Sequence, residues 1–139
     1  MSNTLKDPED ILFEESIDAI LCSVYSNEKP LKGTVAMLDW RLNSLVSQFL
    51  KKGHIEGKKG EVVFIPFTKE ARPKGLMLLG LGLKEDTVLP TEKKVLLDQL
   101  RARLVKLKMT RIAISVSSFD LKEEELEKAF KNFQITWIN

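Results

Sequence analysis

Few residues in this chain are of a type that could do chemistry, and their spacing argues against a self-contained reaction centre. The 139 residues include one histidine, His54, and one cysteine, Cys22. A zinc site or a cysteine–histidine pair needs such side chains at defined spacing, and one of each in unlike contexts supplies neither. His54 follows Lys51, Lys52 and Gly53, the composition of an exposed turn. Cys22 lies inside the apolar run 17–25, where a thiol is expected to be buried and inert. Ser115, Ser117 and Ser118 end a strand-like run, a position that can line a ligand crevice in α/β folds. No elbow glycines flank them, so capping and turn roles are expected. Gly80-Leu81-Gly82 also ends a strand pattern, but a dinucleotide loop needs a third glycine and a helix that starts at once. Lys84-Glu85-Asp86 and Pro90 intervene here, so backbone clearance is the expectation. Glu123-Glu124-Glu125 opens a helix, where negative charge suits the dipole. Asp39, set among apolar neighbours, is expected to pair with Arg41 or with a strand lysine. No catalytic residue, metal ligand or cofactor-binding residue is expected.

Two surfaces remain as candidates for binding. The segment 93–111 is locally basic, and Lys94, Arg101 and Lys108 are seven apart, so a helix would carry them on one stripe. A phosphate-contacting face has this pattern, and so does an ordinary solvated face whose long stems cover the core edge. The net charge is only +2, too small for bulk electrostatics to favour nucleic acid, which ranks behind the other readings. At the other end, Phe133, Ile135, Trp137 and Ile138 form an apolar cluster suited, if exposed, to self-association or to a protein partner.

The elements that must position these residues follow from apolar periodicity. Residues 17–25 read as a buried strand. Pro30 and Gly33 precede one helix in which Leu38, Leu42, Leu45 and Phe49 form a stripe, with Lys51 and Lys52 in its last turn and Gly53 as its stop. Strands are expected over 61–67 and 76–83, the first ending at an edge with Pro66. Thr91 is the expected N-cap of a second helix burying Leu96, Leu97, Leu100, Leu104 and Leu107. A strand over 111–117 and a helix opened by Asp120 and Glu123 follow. The end is ambiguous: Phe133, Ile135 and Trp137 alternate as in a strand, whereas Leu126, Phe130, Phe133 and Trp137 fall at helical spacing. This order predicts a single α/β domain over 1–139, a three-layer α/β/α sandwich. Composition is 43% hydrophobic and 30% charged, enough for a core and a solvated shell. The first ten residues lack the apolar core of a signal peptide, and no run approaches the ~20 apolar residues of a membrane span, so a cytoplasmic protein is expected.

Several of these segments, taken in order, carry a resemblance. Asp18-Ala19-Ile20 opens the first strand, Leu31-x-Gly33 precedes the helix, and Leu38-Asp39 with Leu42 lies inside it. Gly57-Lys58-Lys59-Gly60-Glu61 leads into the next strand, and Leu79-Gly80-Leu81-Gly82 ends the following one. From about Asp10 to about Phe130 the chain resembles the N-terminal domain of the leucyl aminopeptidase family, the cytosolic dinuclear-metal peptidases. The resemblance implies a macro-domain-like fold with a mixed, mostly parallel sheet. It also implies that the two divalent metals and the catalytic residues belong to a separate C-terminal domain. That domain's Asn-Thr-Asp-Ala-Glu-Gly-Arg motif does not occur here, so no catalytic residue carries over. In the family this domain helps assemble hexamers and, in some bacterial members, contributes to DNA binding. Macro domains that take ADP-ribose have an asparagine after the Asp-Ala strand and a glycine-rich loop. Leu21-Cys22-Ser23 and Leu31-Lys32-Gly33-Thr34 stand there instead, which implies no ADP-ribose binding.

Three functional expectations result. The first is a non-catalytic assembly or binding domain that associates with itself or with a peptidase catalytic domain. The second is the accessory part of a manganese- or zinc-dependent aminopeptidase whose catalytic domain lies outside these residues. The third is weak nucleic-acid binding through Lys94, Arg101 and Lys108.

Overall fold

In the computed structural model, which describes residues 11, 12, 14, 16–28, 31–71, 73–86, 88–119 and 121–138, the apolar runs assemble into one five-stranded sheet. Strands β1 (Ala19–Val24), β2 (Val62–Pro66), β3 (Gly75–Gly80), β4 (Arg111–Ser115) and β5 (Gln134–Ile138) lie in the order β2-β3-β1-β4-β5. All neighbours run parallel except β2, which is antiparallel to β3. β1 pairs with β3 along its whole length but with β4 only from Ala19–Ile112 to Leu21–Ile114. A central parallel strand is covered on both faces and must be apolar on both. Every residue of β1 and β3 is accordingly buried. Pro66 ends β2 at the sheet edge, where a missing N–H costs no ladder bond. The ambiguous C-terminal run is a strand.

Among the described residues five helices flank the sheet: α1 (Gly33–Arg41), α2 (Leu45–Lys51), α3 (Pro90–Lys106), the single turn α4 (Val116–Phe119) and α5 (Glu123–Ala129). On one face Val35, Leu38 and Val46 of α1 and α2 pack with Ile11, Leu12, Ile20, Cys22, Leu76 and Leu78. On the other, Leu96, Leu97, Leu100 and Leu104 of α3 and Leu126 of α5 pack on Leu21, Met77, Leu79, Ile112 and Ile114. Alternate residues of β1 feed opposite clusters, as the period-two geometry of a strand requires. A fully buried leucine of this kind contributes about 2 kcal/mol through removal from water.

The single helix expected over 33–52 is two helices. Asn43 and Ser44 take left-handed φ angles of 57° and 64°, a conformation these short polar side chains tolerate. The expected stripe survives because Leu42, Leu45 and Phe49 still pack against the same cluster on either side of the break. Asp39 governs the junction: its carboxylate accepts hydrogen bonds from the Ser47 N–H at 2.9 Å and the Ser47 hydroxyl at 2.5 Å. It therefore caps the first turn of α2 from the helix before. Its observed partner is Ser47, rather than Arg41 or a strand lysine. Gly53, with φ 76°, ends α2 as expected.

Three other boundaries differ. The N-cap of α3 is Leu89, not Thr91, because Pro90 takes the first helical position, where its fixed φ and missing N–H cost least. Glu92 reaches back to the Leu89 N–H and also meets Lys59 at 3.0 Å. Leu107 falls past the end of α3 and is 40% exposed. β4 stops at Ser115 because the chain turns at once into α4. The last helix begins at Glu123; Asp120, its expected cap, lies outside the described residues, as does Pro30.

Two junctions hold the central strands in register. The turn 57–61 lies across the ends of β1 and β3. Gly80 N–H donates to the Glu61 carbonyl at 2.7 Å, Gly60 N–H to the Gly80 carbonyl at 3.0 Å and Gly82 N–H to the Gly57 carbonyl at 2.9 Å. The Glu61 carboxylate folds back to accept the N–H groups of Glu56 and Gly57. Approach is so close that a Cβ on Gly80 would lie 2.1 Å from the Lys58 carbonyl oxygen, and one on Gly57 2.8 Å from the Ser26 nitrogen. At the opposite end, Asp18 accepts from the Arg111 guanidinium at 2.8 Å and from the backbone N–H of Thr110 and Arg111, each at 3.0 Å. Burial pushes the Asp18 carboxyl pKa up, but these donors outweigh it and hold it below its usual value.

Substituting Gly80→Ala should cost about 2–3 kcal/mol in urea unfolding, because backbone rather than a flexible side chain must move. Gly53→Ala is the control, since a Cβ there meets nothing within 4 Å and only about 1–2 kcal/mol of left-handed strain is added. Equal losses at the two sites would contradict the packing argument. The depressed Asp18 carboxyl contributes stability that is present above its ordinary pKa of 3.8 and lost as pH falls below it. Thermal unfolding of Asp18→Asn should therefore differ from the parent at neutral pH, with the difference shrinking in acid.

Candidate functional site

In an open α/β sheet, ligands bind outside the carboxyl ends of parallel strands where outgoing connections diverge. Here that point lies between β1, whose chain leaves toward α1 on one face, and β4, whose chain leaves through α4 to α5 on the other. Because β4 stops pairing with β1 at Leu21–Ile114 while β3 still pairs at Ser23–Leu79, the backbone of Ser23 is left without a strand on its β4 side only. Ser118 of α4 takes the missing place. The Ser23 N–H donates to the Ser118 hydroxyl at 2.6 Å, and that hydroxyl lies 3.3 Å from the Ser23 carbonyl. The Ser23 hydroxyl donates in turn to the Ser118 carbonyl. One residue later in β4, the fully buried Ser115 hydroxyl donates to Thr34 Oγ1 of α1 at 2.9 Å. Among the described residues at this point, the hydroxyls of Ser23 and Ser118, and of Ser115 and Thr34, are thus hydrogen-bonded across the crevice.

Outside this closure lies a shallow depression of about 350 Å³ lined by Asn27, Glu28, Lys32, Lys84 and Glu85. Four of these five, Asn27, Glu28, Lys84 and Glu85, are matched to one another. Lys84 meets Glu28 at 2.9 Å, its N–H donates to Asn27 Oδ1, and the Asn27 amide donates to Glu85 at 2.6 Å. The hydrogen bond to Glu28 holds the Lys84 ammonium above its usual pKa, and that from Asn27 holds Glu85 below its own. A ligand contacting these four groups would have to displace their mutual bonds.

The residues singled out from sequence are distributed as follows. Cys22 is fully buried and burial pushes its thiol up to about 12; a thiol so placed is not a nucleophile. His54 is exposed and its ring meets the edge of Phe49 at 5.6 Å. The Gly80-Leu81-Gly82 segment receives the 57–61 turn, a backbone role rather than a phosphate loop. Ser117 is exposed. Among the described residues no three His, Cys, Asp or Glu side chains come together as a metal site would require.

Lys94, Arg101 and Lys108 do not share one helical stripe. α3 ends at Lys106, and Lys108 sits beyond it with φ 58°. Arg101 is turned to the neighbouring helix, donating to the carbonyls of Ala129 at 3.2 Å and Lys131 at 2.9 Å, with its guanidinium 5.1 Å from the Phe133 ring centre. It closes the open end of α5. Lys94 alone of the three is an exposed cation on α3. Of the apolar C-terminal cluster, Trp137 and Ile138 are buried on opposite faces of the sheet. Phe133 and Ile135 are half-buried, and β5, which carries Ile135, forms the second edge of the sheet.

The Ser23–Ser118 contact was missed from sequence because its partners lie 95 residues apart. Only the placement of Ser118 at a strand end hinted at it.

With this geometry in view, the comparisons with known proteins are consistent. Residues 22–135 match the profile of the cytosol aminopeptidase family, N-terminal domain. A probable cytosol aminopeptidase of Alkaliphilus oremlandii is 29% identical over 110 residues, 76% of this chain and 22% of that protein. The cytosol aminopeptidase of Buchnera aphidicola is 27% identical over 110 residues, 79% of this chain and again 22% of the relative. The chain thus spans about a fifth of the length of these relatives. Among solved structures, the macrodomain of Thermus aquaticus DarG aligns with a TM-score of 0.68 at 12% identity, covering 92% of this chain and 93% of that one. Tomato leucine aminopeptidase aligns with a TM-score of 0.58 at 17% identity, covering 88% of this chain and 29% of that one. At such identities the structural likeness establishes the fold, a macrodomain-like α/β sandwich. The profile match over most of the chain establishes the family: this protein belongs to the cytosol aminopeptidase family and carries its N-terminal domain.

Proposed function

We propose that this chain is a non-catalytic assembly and binding domain of leucyl aminopeptidase type, acting in cytosolic peptide turnover beside a catalytic peptidase domain. The observation that carries this reading is the closed crevice. The position where an α/β sheet would hold a substrate is filled by the chain's own Ser23, Ser118, Ser115 and Thr34. What remains available for function is surface. The sheet edge at β5, with Phe133 and Ile135 half-buried beside it, is the region through which self-association or docking on a peptidase domain would occur. The two divalent metals of the family belong, on this reading, to that other domain. The described residues of this chain do not gather a ligand set for them. A cytoplasmic location is supported by the relatives, which are named cytosol aminopeptidases. No helix among the described residues is long and apolar enough to cross a membrane.

Three measurements test the proposal. The isolated chain should give no turnover of a leucine chromogenic substrate with manganese, and activity would overturn the non-catalytic reading. Size-exclusion chromatography with light scattering should find a mass above the monomer, either for the chain alone at high concentration or when a peptidase catalytic domain is added. A strict monomer under both conditions would overturn the assembly role. Calorimetric titration with ADP-ribose should yield no binding heat.

A further inference from the structure

Helices α3 and α5 diverge over a groove of about 620 Å³ on the outer surface of their layer, a volume in the range of specific binding sites. Its floor is apolar, made by Leu97 of α3, Leu121 and Ala129. Its walls are cationic on both sides: Lys93 and Lys94 stand on α3, Lys128 on α5 and Lys131 in the turn after it. Lys94, Lys128 and Lys131 are exposed. Two acids, Asp98 and Glu125, also line it, so positive charge is in excess without being uniform. Arg101 fixes the spacing of the walls, because its two hydrogen bonds to the carbonyls of Ala129 and Lys131 tie the end of α5 to α3.

An apolar floor between cationic walls sets the chemistry of an occupant. It needs an apolar ridge to displace water from Leu97, Leu121 and Ala129, and carboxylates along its flanks to meet the lysines. A nucleic-acid backbone offers phosphates but no apolar ridge on its outer surface, and Asp98 and Glu125 would oppose its continuous charge. The geometry points to a protein partner: this groove is a docking site for an acidic amphipathic segment, a helix or extended run in which Glu or Asp flanks Leu-type anchors. The groove borders the β5 edge, sharing Lys131 and Asn132 with the depression beside Phe133 and Ile135, so oligomer mass is measured alongside peptide binding to tell the two readings apart.

Fluorescence anisotropy on the full chain tests it with a labelled amphipathic peptide of glutamate and leucine. Controls are an all-glutamate peptide of equal charge and length, and a DNA duplex. The amphipathic peptide should bind saturably and at least roughly tenfold more tightly than the all-glutamate peptide, about 1.4 kcal/mol. The double charge reversal Lys94→Glu with Lys128→Glu should weaken it by a similar factor while leaving the melting temperature unchanged. If that variant is poorly folded, Lys94→Gln with Lys128→Gln should weaken binding in the same direction by less. Tighter binding of DNA, equal affinity for the all-glutamate peptide, insensitivity to both lysine pairs, or no saturable binding would each overturn the proposal. The oligomer mass of the same lysine variants, measured by light scattering, should equal that of the parent, which distinguishes a failure here from a failure of assembly.

Discussion

The constraint on which the rest of the structure depends is the near-contact of two backbones at the end of β3. With only hydrogen on Gly80, the 57–61 turn settles onto the ends of β1 and β3 and exchanges hydrogen bonds with residues 80 and 82. That seat reverses the chain so that β2 runs antiparallel at the edge. It also fixes where β1 stops, because Ser26 N–H donates to the Gly82 carbonyl and Leu81 N–H to Val24. The Glu61 carboxylate completes the turn by accepting N–H groups that the chain would otherwise leave unpaired. Two of the segments that carry the family resemblance in sequence, Gly57–Glu61 and Leu79–Gly82, are therefore the two halves of one backbone junction.

The closed crevice is the second organising feature. Macrodomain-like sheets place their carboxyl ends around a common opening, and folds of this kind host unrelated functions by altering what fills it. Here a four-residue helical turn brings Ser118 against Ser23, so that a side-chain hydroxyl continues the ladder after β4 has left.

The strands were legible because parallel, doubly covered strands are continuous apolar runs, as in 19–24, 75–80 and 111–115. The break between α1 and α2 was not, since the spacing of Leu38, Leu42, Leu45 and Phe49 keeps one face across it. The deciding event, Asn43 and Ser44 turning left-handed while Asp39 caps Ser47, leaves no mark on periodicity. The C-terminal ambiguity has a similar origin. Leu126, Phe130, Phe133 and Trp137 do all reach the same core cluster, first from a helix and then from a strand. The candidate surfaces were legible in composition only. That Arg101 serves as a tie between helices, and that Trp137 and Ile138 point to opposite faces, are long-range facts that spacing does not carry.

Cys22 gives the molecule an internal clock. Its sulfur lies at the middle of the central strand, fully covered, with ionisation pushed up to about 12. A thiol-labelling reagent reacts with thiolate, so modification requires that β1 first part from its neighbours. When closing is faster than labelling, the modification rate measures the free energy of that opening. The single cysteine thus makes the stability of the sheet's centre readable in solution, without an introduced probe and separately from fraying at the edges.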